Sequence, residues 1–147
     1  MNTTEIPVDI SQAELVDYII RGAASLTPSD VHRLVAEMPE LRERFARLHE
    51  TPYADTERQL WLLSEVVERV WTHTYLDLPY GVALEAAFAL AYFVRETDLV
   101  PDVLGTIGLI DDIAVVQIVI ARHADVLAAF CEATKLDGRD FNLVPRH

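Results

Sequence analysis

The chain has 147 residues, a length that suits one domain and allows a core that removes roughly 70% of the unfolded surface from water. Apolar residues make up 51% and the net charge is −12, a balance that excludes a disordered chain. Twenty-four acids against twelve bases speak against a nucleic-acid binder and against docking on anionic lipid, since both need a cationic surface.

Almost every periodic segment has helical spacing. Ser11 followed by Glu14 reads as a capping box opening a helix over "QAELVDYIIRGA", with Leu15, Ile19 and Ala23 on one stripe. Thr27 precedes Pro28, a proline suited to the first position of the next helix, which carries Val31, Leu34 and Val35 and ends before Pro39. Pro39 in turn begins "PELRERFARLHE", where Leu41, Phe45 and Leu48 share a side. Its Arg42, Arg44 and Arg47 alternate with Glu40, Glu43 and Glu50, the pattern of a solvated, self-compensating face.

"TPYAD" is a turn, with Asp55 or Thr56 as the expected cap. Residues 56–73 make the clearest amphipathic helix, with Leu60, Leu63, Val67, Val70 and Trp71 inward; Trp61 is assigned to the core as well. "YLDLPYG" breaks the chain before "VALEAAFALAYFVRE", whose near-uniform apolarity requires neighbours on all sides. Glu85 is its lone charge between Val82 and Val94, and Arg122 and His123 are candidate partners for it. A last helix is expected within residues 109–134, apolar around Ile113–Ala121, with Gln117 bonding to another helix and Cys131 in the core. The tail, residues 135–147, is expected to be loop.

The fold class predicted is all-α: a compact bundle of about five to seven helices around a central apolar helical hairpin. A single domain is expected over residues 1–147, with N-terminal helices of unassigned role in 1–75 and the hairpin in 79–134. Cys131 is the sole cysteine, which fits a reducing compartment. The N-terminal residues lack a signal-peptide pattern, and the apolar runs fall short of the ~20 residues that span a bilayer. A cytoplasmic protein is the expectation.

Between the two apolar helices lies "DLVPDVLGTIGLIDD", residues 98–112, with four aspartates. Asp98 is placed to cap the turn "LVPDVLG", with Pro101 and Asp102 inside its first turn and Gly105 and Gly108 free to adopt positive φ. Asp111 and Asp112 are read as standing at the start of the last helix, where negative charge meets the helix dipole favourably. The rival reading gathers Asp98, Asp102, Asp111 and Asp112 around Mg²⁺ or Ca²⁺, with Glu85 nearby in an acidic pocket. The spacing is not that of an EF-hand, and the chain has no Glu-x-x-His, His-Glu-x-x-His, phosphate loop or Gly-x-Ser-x-Gly.

Residues 86–116 resemble the YkvA-like family of small bacterial proteins, a domain of unknown function. Asp98, Pro101, Asp102, Gly108, Asp111 and Asp112 fit the family spacing D-x2-P-D-x5-G-x2-D-D, and Tyr92 matches a common upstream aromatic. Gly105 and Glu96 stand where many members carry proline. The resemblance implies a helical hairpin and no activity. The function expected is therefore a non-enzymatic protein-interaction module of adaptor or immunity type, with no cofactor and a partner that is another protein, possibly basic. The alternatives are a divalent-metal-dependent hydrolase using the aspartates, and a membrane-associated helical hairpin.

Overall fold

The computed structural model describes the backbone of residues 12–99, 105–141 and 143, and the side chains of residues 13–94, 113–141 and 143. Among these residues lie seven α-helices and no strand, an all-α bundle as the periodicity requires. They are α1 (Gln12–Ala24), α2 (Pro28–Ala36), α3 (Met38–Ala46), α4 (Ala54–Trp71), α5 (Tyr80–Leu99), α6 (Gly105–Arg122) and α7 (Ala124–Ala133). A 3-10 turn, Gly138–Phe141, follows.

Local chemistry sets most of these boundaries. Ser11, the proposed cap of α1, lies outside the described residues. Thr27 starts α2 through a reciprocal capping box: its hydroxyl accepts from Asp30 N at 3.1 Å, and the Asp30 carboxylate accepts from Thr27 N at 2.9 Å. The first bond satisfies a free helix-start amide, and Pro28 needs none. Glu37 alone separates α2 from α3, and Pro39 sits in the first turn of α3.

The start of α4 corrects the cap expected at Asp55 or Thr56. Thr51 forms the turn instead, accepting from Tyr53 N at 3.0 Å and donating to Leu48 O at 2.7 Å. The helix therefore begins at Ala54, behind Tyr53, with no side-chain cap bond. Asp55 pairs with Arg58 at 2.7 Å, and Thr56 is buried.

Helix α5 is the centre of the bundle and packs against α1, α4 and α6. Ala83, Ala86, Ala87 and Ala89 are buried around it and let neighbouring backbones approach closely. Leu90 and Phe93 complete its interior, Phe93 meeting Phe45 of α3 edge-on at 6.0 Å. Against α1, Phe88 lies over Gly22 so closely that a Cβ there would overlap the ring. Tyr18 meets Phe88 and Tyr92 edge-on at 5.7 and 6.1 Å.

The expected last helix is two helices. α6 ends at Arg122 and α7 starts at Ala124, the segments Ile113–Arg122 and Ala124–Ala133 meeting at 79°. His123 occupies the corner: its N–H still bonds Val119 O, while its C=O already accepts from Leu127 N. Gln117, expected to bond to another helix, is exposed and makes no such bond among the described residues. Among the described residues no single helix is long and apolar enough to cross a membrane, although the bent pair passes by combined length and composition.

The tail is not all loop. Phe141 is buried and stacks on Trp61, with ring centroids 6.2 Å apart and planes at 8°. Trp61, assigned to the core from its stripe, is 36% exposed at the rim of this stack. The other helix face is wider than the stripe implied, since Leu62, Ser64 and Val66 are buried with Leu60, Leu63 and Val67.

Candidate functional site

The candidate sites are the aspartate run, the surroundings of Glu85, and a groove between α2, α3 and α5. For the first, Pro101 and Asp102 lie outside the described residues, and so do the side chains of Asp98, Gly105, Gly108, Asp111 and Asp112. Their backbone positions nevertheless revise the local reading. α5 runs through Leu99, so Asp98 is inside a helix rather than ahead of one. α6 begins at Gly105, so Gly105 and Gly108 are helical, and Asp111 and Asp112 fall in its second turn. The first turn of α6 carries no acid, which removes the dipole argument for those two residues.

Around Glu85 the geometry is complete. The residue is 8% exposed, on the face of α5 turned toward the end of α6. Arg122 binds it as a fork, Nε to Oε1 and Nη2 to Oε2, each at 3.1 Å. His123 brings Nε2 to Oε1 at 2.9 Å. Burial pushes the Glu85 carboxyl up, but the bonds from Arg122 and His123 outweigh it and hold the group below its usual range. Arg122 is raised in return by the Glu85 carboxylate.

The arrangement ties α5 to the corner between α6 and α7. A general acid or base working near neutrality needs a pKa raised toward that range, and Glu85 moves the other way. Both its oxygens are already engaged by donors, which is how a buried carboxylate is kept satisfied. Among the described side chains, Glu85 is thus bonded by the two basic residues Arg122 and His123. Asp102 and Asp111, expected beside it in an acidic pocket, lie outside the described side chains.

A second tie joins α3 to α4. Arg42 donates from Nε to Ser64 Oγ at 3.0 Å, and from Nη2 to Glu65 and Glu68 at 2.7 Å each. The sequence placed Arg42 on a solvated face, yet its side chain crosses to the neighbouring helix and is only 24% exposed. Arg42 differs from its neighbours in the sequence only by lying one position after the buried Leu41, a signal too slight to single it out.

The groove holds about 550 Å³. Ala87, Ala91 and Val94 of α5 form its floor, and Val31, Leu34 and Leu41 its apolar walls. Asp30, Arg33 and Glu37 stand on the rim. None of these residues was singled out as functional from the sequence. The signal lay in α5, whose 87, 91, 94 spacing keeps one apolar line on a helix with few large side chains there.

Among the described residues no three His, Cys, Asp or Glu side chains converge as a metal site would require. Cys131 is buried, and its thiol is pushed up to about 11 by burial, then by Asp137 and Asp140. That suppresses the thiolate a nucleophile needs. No curated protein and no solved structure matches the chain significantly. Residues 82–118, covering most of α5 and α6 up to Ile118, match the family model described as a protein of unknown function (DUF1232).

Proposed function

We propose that the chain is a non-enzymatic protein-binding module and that the groove between α2, α3 and α5 receives its partner. The observation that carries the reading is the groove's composition: an open trough with an apolar floor and a charged rim. Such a trough suits the apolar face of an amphipathic helix. The partner we envisage is cationic, because the chain carries a net charge of −12 and Asp30 and Glu37 outnumber Arg33 at the rim. A cytoplasmic setting and an adaptor or immunity-type role belong to the same proposal. The DUF1232 stretch is, in this reading, the YkvA-like hairpin, which supplies the groove's floor through α5.

The test is a comparison of two baits in extracts of the native cell. Wild-type protein should retain a basic partner that high salt releases, and Ala91→Arg, which fills the apolar floor and adds a positive charge there, should lose it while keeping its helical signal. An identical set of captured proteins on both baits sinks the reading. The metal alternative has a separate readout: a rise in melting temperature with Mg²⁺ or Ca²⁺ would favour it, by binding linkage.

A further inference from the structure

We propose that residues 135–141 form a hinged strap that opens about Lys135 and, when closed, covers the Trp61 side of α4 by means of Phe141. The inference is independent of the groove.

The hinge is strained. α7 ends at Ala133 with Thr134 as its cap, and Lys135 follows at φ 64°, in the left-handed region that favours glycine. Leu136 N reaches back to Cys131 O at 2.7 Å and Lys135 N to Glu132 O at 3.3 Å, the paired bonds of a Schellman ending. A lysine held in this conformation gains by leaving it.

Beyond the hinge the turn supports itself. Asp137 accepts from Arg139 N at 2.9 Å and from the Arg139 guanidinium at 2.9 and 3.1 Å. Leu143 N closes on Gly138 O at 3.1 Å.

The latch is aromatic. Phe141 is buried in the core cluster and stacks on Trp61, while its carbonyl meets Gln59 Nε2 at a long 3.4 Å. Gln59 is 95% removed from solvent (5% exposed), and its Oε1 has no hydrogen-bond partner among the described residues. A buried acceptor without a donor opposes the closed state, and opening would let water satisfy it. Strain at Lys135 and an orphan acceptor at Gln59 both favour release, and the Phe141–Trp61 stack opposes it. Leu136 and Leu143, packed against the core, oppose release as well, so the strap opens as one unit from Lys135 onward.

Urea titration of the full chain carrying Trp71→Phe isolates Trp61 as the emitter. The expected result is a red shift of Trp61 emission at urea concentrations below the loss of helical ellipticity. Phe141→Ala in the same background should begin red-shifted and lack that early step. A single coincident transition in both signals overturns the proposal, and so does an early step that survives Phe141→Ala. If Trp71→Phe proves too unstable, tryptic cleavage after Arg139 in the otherwise unaltered chain decides. It should be about tenfold faster in Phe141→Ala, because cleavage follows the open population. Equal rates overturn the strap.

Discussion

Glu85 and His123, 38 positions apart in the chain, meet at 2.9 Å and together fix where the longest apolar stretch turns. His123 sits at the corner between α6 and α7, and Glu85 draws both its ring and the preceding Arg122 onto α5. Truncating Glu85 leaves a partly exposed Arg122 and a half-buried His123 without their acceptor. Glu85→Gln should therefore lower unfolding free energy by about 2–4 kcal/mol, toward the lower part of the range for broken buried pairs because Arg122 is partly exposed. Glu85→Leu combined with Arg122→Met should cost less than Glu85→Gln alone, since it removes both charges. Urea denaturation of the three proteins measures this, and a loss under about 0.5 kcal/mol in Glu85→Gln, the scale of an ordinary surface change, contradicts it.

The same carboxylate gives a signed pH dependence. Its folded pKa is depressed, so its contribution is fully present above the unfolded value near about 4.3 and disappears as pH falls through the folded value. Wild-type stability should drop more steeply than that of Glu85→Gln in this acid window, and the two curves should converge below it.

Cys131 acts at the other end of the scale. Burial first, and then Asp137 and Asp140, raise its thiol from 9.0 to about 11. A raised folded pKa favours the protonated fold, so its stability is present below the unfolded value and fades as pH climbs from 9.0 toward about 11. Cys131→Ser should flatten the alkaline slope of a stability-against-pH curve, whatever it does to the neutral-pH midpoint.

Two helix ends carry the wrong residue for their shape. His73 has φ 62° and Lys135 φ 64°, and each follows a helix closed by paired back-bonds: Thr74 N to Arg69 O at 2.8 Å in one, Leu136 N to Cys131 O at 2.7 Å in the other. A non-glycine residue there carries about 1–2 kcal/mol of strain, partly offset by the greater entropy that glycine loses on folding. His73→Gly should stabilise by roughly 0.5–1 kcal/mol, read as a higher urea midpoint at unchanged slope.

Gly22 makes the opposite case. A methyl group there would run into the Phe88 ring, which is itself held by Tyr18 and Tyr92. Gly22→Ala should cost about 1–3 kcal/mol through overpacking, despite the better helix propensity of alanine. Adding Phe88→Leu should recover part of the loss. A stabilised Gly22→Ala would show that the ring moves aside freely.

Much of this architecture is legible in the residues, because helix patterning is a local property. The buried stripe of α4, the proline start of α2 and the partners of Glu85 all follow from spacing or from a lone charge in an apolar helix. Failures came where tertiary contacts overrule local pattern. The corner at His123 depends on a carboxylate 38 positions away, which no window over "IARHADV" contains. Arg42 sits in a run of alternating charges, and only the position of α4 distinguishes it from Arg44 and Arg47. Phe141 lies in a polar tail, and its burial depends on Trp61 presenting a flat face. The aspartate run illustrates a further limit: the sequence places Asp98 ahead of a short turn and Asp111 and Asp112 at the start of the last helix, yet α5 runs past Asp98 to Leu99 and α6 already begins at Gly105.

The fork between Glu85 and Arg122 also settles how α5 can move against α6. The connection through residues 100–104 joins the two helices at one end, and the fork fastens them near the other. Sliding by a single helical turn would displace the guanidinium by about 5.4 Å, breaking both bonds at once, so the pair has one permitted register. A residue inserted into the connection should then leave Ala87, Ala91 and Val94 facing the same neighbours.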